Sequence, residues 1–492
     1  MKWRYNKEDY LLLIRELGLL LLLVSGMLLI PLVVAYIYGE GSAYRPFIFS
    51  SVISAGFGLL LRLSPGNTRF ERKHAIGLVV FSWPLISIPS ALPLYFSNTA
   101  PTFLDAYFEA VSGWTTTGLS TIGANADLFL QSMNFWRHLM QYFGGLGIII
   151  MGIVVLVPLK DWEVTSELAV AAGKQYRIVP SLNNTLKIIS LMYLLLLVVG
   201  SIAYYFSGLG VFDAVCHTMA GLSTGGYSTR GASVGAYNML PVTLVSIPIM
   251  ILGGTNFVLL YYLLRADLKQ YLPDIETKVF WILWIIFCGT LILWSIFGGG
   301  IEMNIPDILF MITSALTTTG WSTTPAQAVF LQWAPLGLLF IIVSMIIGAN
   351  SSSTGGGIKA YRFGLIIKNI FWITRDMVTP DSLVKNKRYR HLQNKLADDT
   401  LLQSIMTFIY LYVLILFVSF VIFTIYDYPI IESFYEVASA IGTVGLSSGI
   451  TSLGLETPLK IILIVNMWLG RIEILPVLYF IRYVSIKTKT LI

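Results

Sequence analysis

The chain has 492 residues, 56% of them hydrophobic and only 12% charged, a balance that excludes a soluble globular domain and points to the lipid bilayer as solvent. Its formal charge of +6 comes from basic residues gathered between apolar runs, which fits membrane topology and anionic headgroups rather than nucleic-acid binding. Cys216 and Cys288 both lie in apolar segments, so neither a disulfide framework nor a metal site is indicated.

A bilayer is crossed by roughly 20 apolar residues. In chain order the sequence offers Leu11 to Tyr38, Pro46 to Leu61, Ala75 to Phe96, Phe135 to Leu159, Ile188 to Phe206, Met239 to Leu264, Val279 to Phe297, Gln332 to Trp372, Thr400 to Ile425 and Pro458 to Ile481, ten spans in all. The first is longer than a signal-peptide core and no small-residue cleavage site follows, so it reads as retained. The eighth is overlong and interrupted by glycines. With the N-terminus inside, only Arg15, Arg45, Arg137, Arg230, Lys460 and Arg471 of the 32 Lys/Arg fall outside cytoplasmic segments, and both termini are therefore expected in the cytoplasm. Arg137 and His138, opening the fourth span, read as interfacial or packing residues.

Four segments between the spans repeat one pattern: a carboxylate, an apolar helical stretch, a hydroxyl-rich turn and a glycine. They run Asp105 to Gly118, Asp213 to Gly226, Asp307 to Gly320 and Glu432 to Gly445, each glycine 13 positions after its acid. Such a segment is too short to cross alone, and non-helical backbone at membrane depth survives only where protein buries it or water lines it. Four re-entrant helix-and-turn units converging on one ion path satisfy both conditions. The expected fold is an all-α membrane protein of ten transmembrane helices. Four helix–pore helix–helix repeats lie in pseudo-fourfold array, at residues 71–160, 176–266, 277–373 and 400–492. An N-terminal helix pair (1–70) and a cytoplasmic connection (374–399) complete the chain. The acids read as helix caps before ion ligands. The turns, Thr115, Thr116, Thr117 and Gly118; Ser223, Thr224, Gly225 and Gly226; Thr317, Thr318, Thr319 and Gly320; Gly442, Thr443, Val444 and Gly445, are candidates for binding a dehydrated cation through backbone oxygens.

A second run, Gly348, Ala349, Asn350, Ser351, Ser352, Ser353, Thr354, Gly355, Gly356 and Gly357, sits inside the eighth span, where irregular backbone must line the permeation path. It carries few side chains to anchor it. A kink that only eases helix packing is the alternative; a phosphate-binding loop fits worse, because the glycines lead to Ile358-Lys359 without the Gly-Lys-Ser/Thr ending. In the last span Arg471 is a cation at membrane depth, which costs ~2.5–3.5 kcal/mol on insertion scales and calls for a partner such as Glu473 or a wet cavity.

The filter turns, together with STGGGIK at Ser353 to Lys359 and LGRIE at Leu469 to Glu473, resemble the Trk/Ktr/HKT superfamily of potassium transporters, and within it the TrkH/TrkG type, whose extra N-terminal helix pair is matched by Leu11 to Leu61. The resemblance implies a bacterial inner-membrane potassium transporter, homodimeric, with the glycine-rich run as intramembrane gate and Arg471 as a cation projecting beneath the filter. Four filter glycines imply potassium over sodium. This chain departs from the more glycine-rich gate at Asn350, Ser351 and Ser352. Among such relatives, basic cytoplasmic segments such as Val384 to Leu396 dock TrkA-type nucleotide-binding subunits; no nucleotide fingerprint occurs here, and no cofactor is expected. An enzyme is disfavoured by the lack of an HExxH motif and by four histidines, His74, His138, His217 and His391, that fall in unrelated places, whereas the potassium-channel subunit of a pumping ATPase is the nearer rival.

Overall fold

The structure, a computed structural model, describes residues 5–66, 68, 70–156, 182–297, 304–324, 330, 333, 335–380 and 386–485. Val157 to Leu159 of the expected fourth span, Gln332 of the eighth, the 176–181 boundary of the second repeat and Val384 and Lys385 of the basic segment lie outside them.

The fold is almost wholly helical. The N-terminal unit comprises α1 (Lys7–Met27), α2 (Pro31–Ile37) and α3 (Tyr44–Arg62). Gly18 and Gly58 let α1 and α3 approach until a Cβ on Gly18 would stand 2.7 Å from the Gly58 carbonyl, and Ser54 donates to the Leu21 carbonyl at 2.8 Å. Small residues and interhelical hydroxyls of this kind are how helices associate in lipid, where apolar contact alone gives little preference. Asp9 then ties α1 to the next helix through Lys73 and His74, both at 2.7 Å.

Four units follow. The first is α4 (Arg72–Phe96), α5 (Phe103–Trp114) and α6 (Gln131–Leu156). The second is α7 (Leu182–Phe206), α8 (Val211–Leu222), α9 (Leu240–Gly254), α10 (Phe257–Leu264) and the short α11 (Leu268–Tyr271). The third is α12 (Ile275–Phe297), α13 (Ile305–Leu316), α14 (Pro335–Ile347) and α15 (Ala360–Val378). A hairpin, β1 (Arg388–His391) against β2 (Gln393–Leu396), leads to α16 (Asp399–Ile425), α17 (Ile430–Ile441), α18 (Thr457–Ile472) and α19 (Leu475–Ser485). The middle helices α5, α8, α13 and α17 are 12 residues each, about 18 Å at 1.5 Å per residue, well short of the ~30 Å hydrocarbon core.

Among the described residues, six helical runs are long and apolar enough to cross a membrane: Lys7–Ile37, Gly41–Arg62, Lys73–Phe96, Asn184–Phe206, Ile275–Phe297 and Asp399–Ile425. The protein is a multi-pass membrane protein. Three of the expected spans are interrupted, the eighth at the glycines already noted in it. The sixth parts at Thr255 and Asn256, where the Asn256 side chain caps α10 by accepting from Val258 N at 3.0 Å. The eighth parts between Ile347 and Ala360. The tenth bends by 92° between α18 and α19, because Glu473 (φ 65°) and Ile474 (φ 55°) are both left-handed, a conformation costing about 1–3 kcal/mol per non-glycine residue. The segment expected as a solvated cytoplasmic connection is partly ordered: α15 runs to Val378, and Tyr389 and His391 of the hairpin are buried.

Candidate ion pathway

Each short helix ends in the same turn. The residue one past the helical cap is a left-handed threonine in every unit: Thr116 (φ 52°), Thr224 (49°), Thr318 (57°) and Thr443 (48°). Its N–H bonds back to Gly113, Gly221, Ala315 and Ala440 at 3.0–3.2 Å, and the next N–H reaches Ser112, Ala220, Ser314 and Ser439 at 2.7–2.9 Å. This double closure satisfies helix carbonyls that would otherwise be orphaned, as in a Schellman cap. A β-branched residue at positive φ is disfavoured, so the conformation is imposed by its surroundings four times over.

The glycines of the four turns are left-handed too: Gly118 (φ 89°), Gly226 (76°), Gly320 (85°) and Gly445 (102°). A Cβ on Gly118 would overlap the Gly225 carbonyl, on Gly226 the Thr319 carbonyl, on Gly320 the Val444 carbonyl and on Gly445 the Thr117 carbonyl. First touches second, second third, third fourth and fourth first, so the turns close into a ring in chain order. All sixteen expected turn residues lie in or beside it. Among the described residues no hydrogen bond reaches the carbonyls of Thr117, Thr319 or Val444, although all three residues are buried. The Gly225 carbonyl accepts from Gln141, whose Oε1 in turn accepts from Tyr227 N at 3.1 Å. Orphaned buried carbonyls are uncommon. The turns also hang on the C-terminal ends of their helices, each carrying about half a negative elementary charge. Ring and dipoles alike favour a cation. A cavity of about 580 Å³ touches all four glycines on one side.

The Gly348 to Gly357 run lies against the other side of the turns. Gly356 N donates to Thr318 Oγ1 at 2.8 Å, Thr224 Oγ1 to Thr354 Oγ1 at 3.1 Å, and a Cβ on Gly355 would stand 2.8 Å from the Thr317 carbonyl. The run is heavily anchored, which corrects the expectation of few attachments: Asn350 N bonds the Gly254 carbonyl at 3.1 Å, Thr354 Oγ1 the Gly253 carbonyl at 2.9 Å, Ser351 N the Glu276 carboxylate at 2.7 Å and Lys359 the Gly355 carbonyl. Arg471 is buried on it, donating to the Thr354 carbonyl and, at 3.0 Å, to the Gly144 carbonyl. Glu473, considered as a partner of Arg471, pairs with Arg362 at 2.5 Å.

The acids that open the short helices sit at their far ends from the ring. They lie in the first turns and are not the caps: Thr102 caps α5 by accepting from Asp105 N at 3.1 Å, and α8, α13 and α17 follow Gly210, Asn304 and Pro429 without a side-chain cap. The Asp105 carboxylate accepts from Thr102 Oγ1 at 2.6 Å and Lys460 at 2.7 Å, and Asp213 from Thr229 at 2.7 Å. Arg137 is not interfacial: it is buried, pairs with Glu109 at 2.6 Å and lies 4.3 Å from the Tyr227 ring centre, directly behind the turns. Gln141 and Glu276 escaped sequence reasoning; the signal available was a buried polar or ionisable residue in an apolar stretch.

Glu276 also belongs to a buried group with the hairpin. Asp274 accepts from Leu392 N at 2.6 Å, and His391 Nδ1 lies 3.4 Å from Asp274 and 4.0 Å from Glu276. Burial pulls the His391 pKa down, but the Glu276 and Asp274 carboxylates outweigh it and the value is raised. The hairpin is thereby linked to Ser351 of the intramembrane run.

A multi-pass helical protein whose short helices aim four negative ends at one carbonyl ring has the form of a membrane cation transporter. The chain belongs to the TrkH family of cation transport proteins, whose model matches residues 45–485; it is a transporter rather than an enzyme. It is 30% identical over 491 residues to an uncharacterized cation transporter of Methanocaldococcus jannaschii, covering 99% of both chains. It is also 30% identical to the Trk system potassium uptake protein TrkH of Escherichia coli K12, covering 94% of this chain and 96% of that one. The crystal structure of the potassium transporter TrkH from Vibrio parahaemolyticus shares the fold, with a TM-score of 0.81 and 24% identity over 95% of this chain and 98% of that one.

Proposed function

We propose that the protein carries potassium into the cell through a selectivity filter formed by the ring, four re-entrant units within ten membrane passes. The observation that supports this most is the cyclic closure of the four glycine turns, with buried carbonyls lacking a donor and helix C-termini directed at them. Thr115 to Gly118, Ser223 to Gly226, Thr317 to Gly320 and Gly442 to Gly445 replace the hydration shell of the ion. The run Gly348 to Gly357 gates the path below them, with Arg471 as its fastening and as a fixed positive charge. Both termini face the cytoplasm of a bacterial inner membrane, the transporter is a homodimer, and a TrkA-type nucleotide-binding ring docks on the cytoplasmic side. Potassium and sodium flux into liposomes, with and without that partner, tests the reading. Faster potassium than sodium entry, altered by the partner, is the expected result; equal entry of both ions would overturn it.

A further inference from the structure

One position recurs behind the filter turns, four residues after each opening acid. It is occupied by Glu109, His217, Met311 and Glu436, and two residues beyond each filter glycine stands a serine: Ser120, Ser228, Ser322 and Ser447. In three units the two positions meet. Ser120 donates to Glu109 at 2.6 Å and Ser447 to Glu436 at 2.9 Å. His217 Nδ1 faces the Asp213 carbonyl at 2.8 Å, so it carries the proton, and Nε2 accepts from Ser228 at 3.0 Å. Glu436 takes further bonds from Ser448 N at 2.7 Å, Ser448 Oγ at 2.8 Å and Thr451. Glu109 is buttressed by Arg137, which also donates to the Ser228 carbonyl at 3.3 Å and so joins the first unit to the second. Met311 can make no such bond. There Ser314 holds the Trp321 carbonyl at 2.6 Å, while Ser322 N donates to Ser233 at 3.2 Å.

We infer that Glu109, His217 and Glu436 are positioning residues for selectivity, each fixing the chain just past a filter glycine from behind, and that among the described residues the third unit lacks such an anchor. This rests on the ring being the filter. A ring whose carbonyls must hold a fixed separation needs its exit strands restrained, since a small outward shift of one quadrant would let the smaller, more strongly hydrated ion compete. A carboxylate accepting several donors is a stiff anchor, because each hydrogen bond to a charged group is stronger than a neutral one.

The test is the potassium-to-sodium flux ratio in liposomes, together with the protection that potassium, relative to sodium, gives against thermal unfolding. Glu436→Gln is expected to lower the ratio by about tenfold, the scale of one hydrogen bond to a charged group, and Ser447→Ala and Ser120→Ala to lower it in the same direction. Met311→Leu leaves it unchanged. The serine variants keep every buried carboxylate and remain informative if Glu436→Gln fails to fold. Gly445→Ser is measured in parallel. If it alters the ratio while the serine and Glu436 variants do not, the positioning role is wrong and the filter stands; if Gly445→Ser also leaves the ratio intact, the filter reading falls and this inference with it. An equal loss in Met311→Leu would refute the distinction between quadrants.

Discussion

Arg471→Ala isolates the fastening of the intramembrane run. The guanidinium is buried and bridges two carbonyls, Thr354 on the run and Gly144 on α6, while its Nε finds no partner among the described residues. A hydrogen bond from a charged donor is worth ~1.5–3 kcal/mol. Losing the bond to Thr354 alone therefore shifts a closed-to-open equilibrium of the run by about 10- to 150-fold. Removal of a fixed positive charge from the path acts in the same direction. Potassium flux per folded protein, measured in liposomes without a cytoplasmic partner, should rise, and Arg471→Lys, which keeps charge but loses the two-pronged reach, should fall between. Adding Glu473→Gln to Arg471→Ala should restore nothing, because Glu473 serves Arg362. Wild-type flux from a well-folded Arg471→Ala protein would refute the reasoning, and rescue by the double change would point to an ion pair between Arg471 and Glu473 instead.

Four further outcomes follow from the same geometry. Gly320→Ser places a side chain on the Val444 carbonyl at φ 85°, so the potassium-to-sodium ratio should fall; an unchanged ratio in folded protein would remove Gly320 from the filter. Thr354→Val breaks bonds to the Leu222 and Gly253 carbonyls and should raise basal flux, whereas deletion of Ala349 to Gly356 should also lower the melting temperature, because the run is anchored to several helices; a deletion as stable as the parent would show those bonds to be incidental. His391 has a raised pKa, so its pairing with Asp274 and Glu276, near Lys395, stabilises fully below its unfolded value of about 6.5 and is lost as pH rises through the higher folded value. Amide exchange in Arg388 to Leu396, corrected for intrinsic rate, should quicken over that rise, and His391→Gln should abolish the dependence; identical pH profiles would sink the coupling.

What could be read from the chain was what repeats locally. Acid, helix, turn and glycine recur at a spacing of 13, and the structure draws those four glycines into one ring. That pattern does not reveal that threonine shares the left-handed geometry, since threonine is a poor residue for it and only the assembled ring enforces it. Hydropathy likewise reports where a segment lies and not whether its helix is continuous. The Thr255–Asn256 break, the Gly348 to Gly357 run and the Glu473–Ile474 bend are far apart in sequence, so nothing local connects them. In space they meet. Asn350 N bonds the Gly254 carbonyl and Phe257 N the Ser352 carbonyl, both at 3.1 Å, while Arg471, beside the bend, holds the Thr354 carbonyl. Backbone groups freed by breaking a helix inside a bilayer must find partners within the protein. Here the groups freed at one break are partly satisfied by those freed at another, and so the interruptions are stable only as a set. A change at any of them should therefore be felt at the others, and on the proposed gating this junction, directly under the ring, is where the packing of the fold and the opening of the path are coupled.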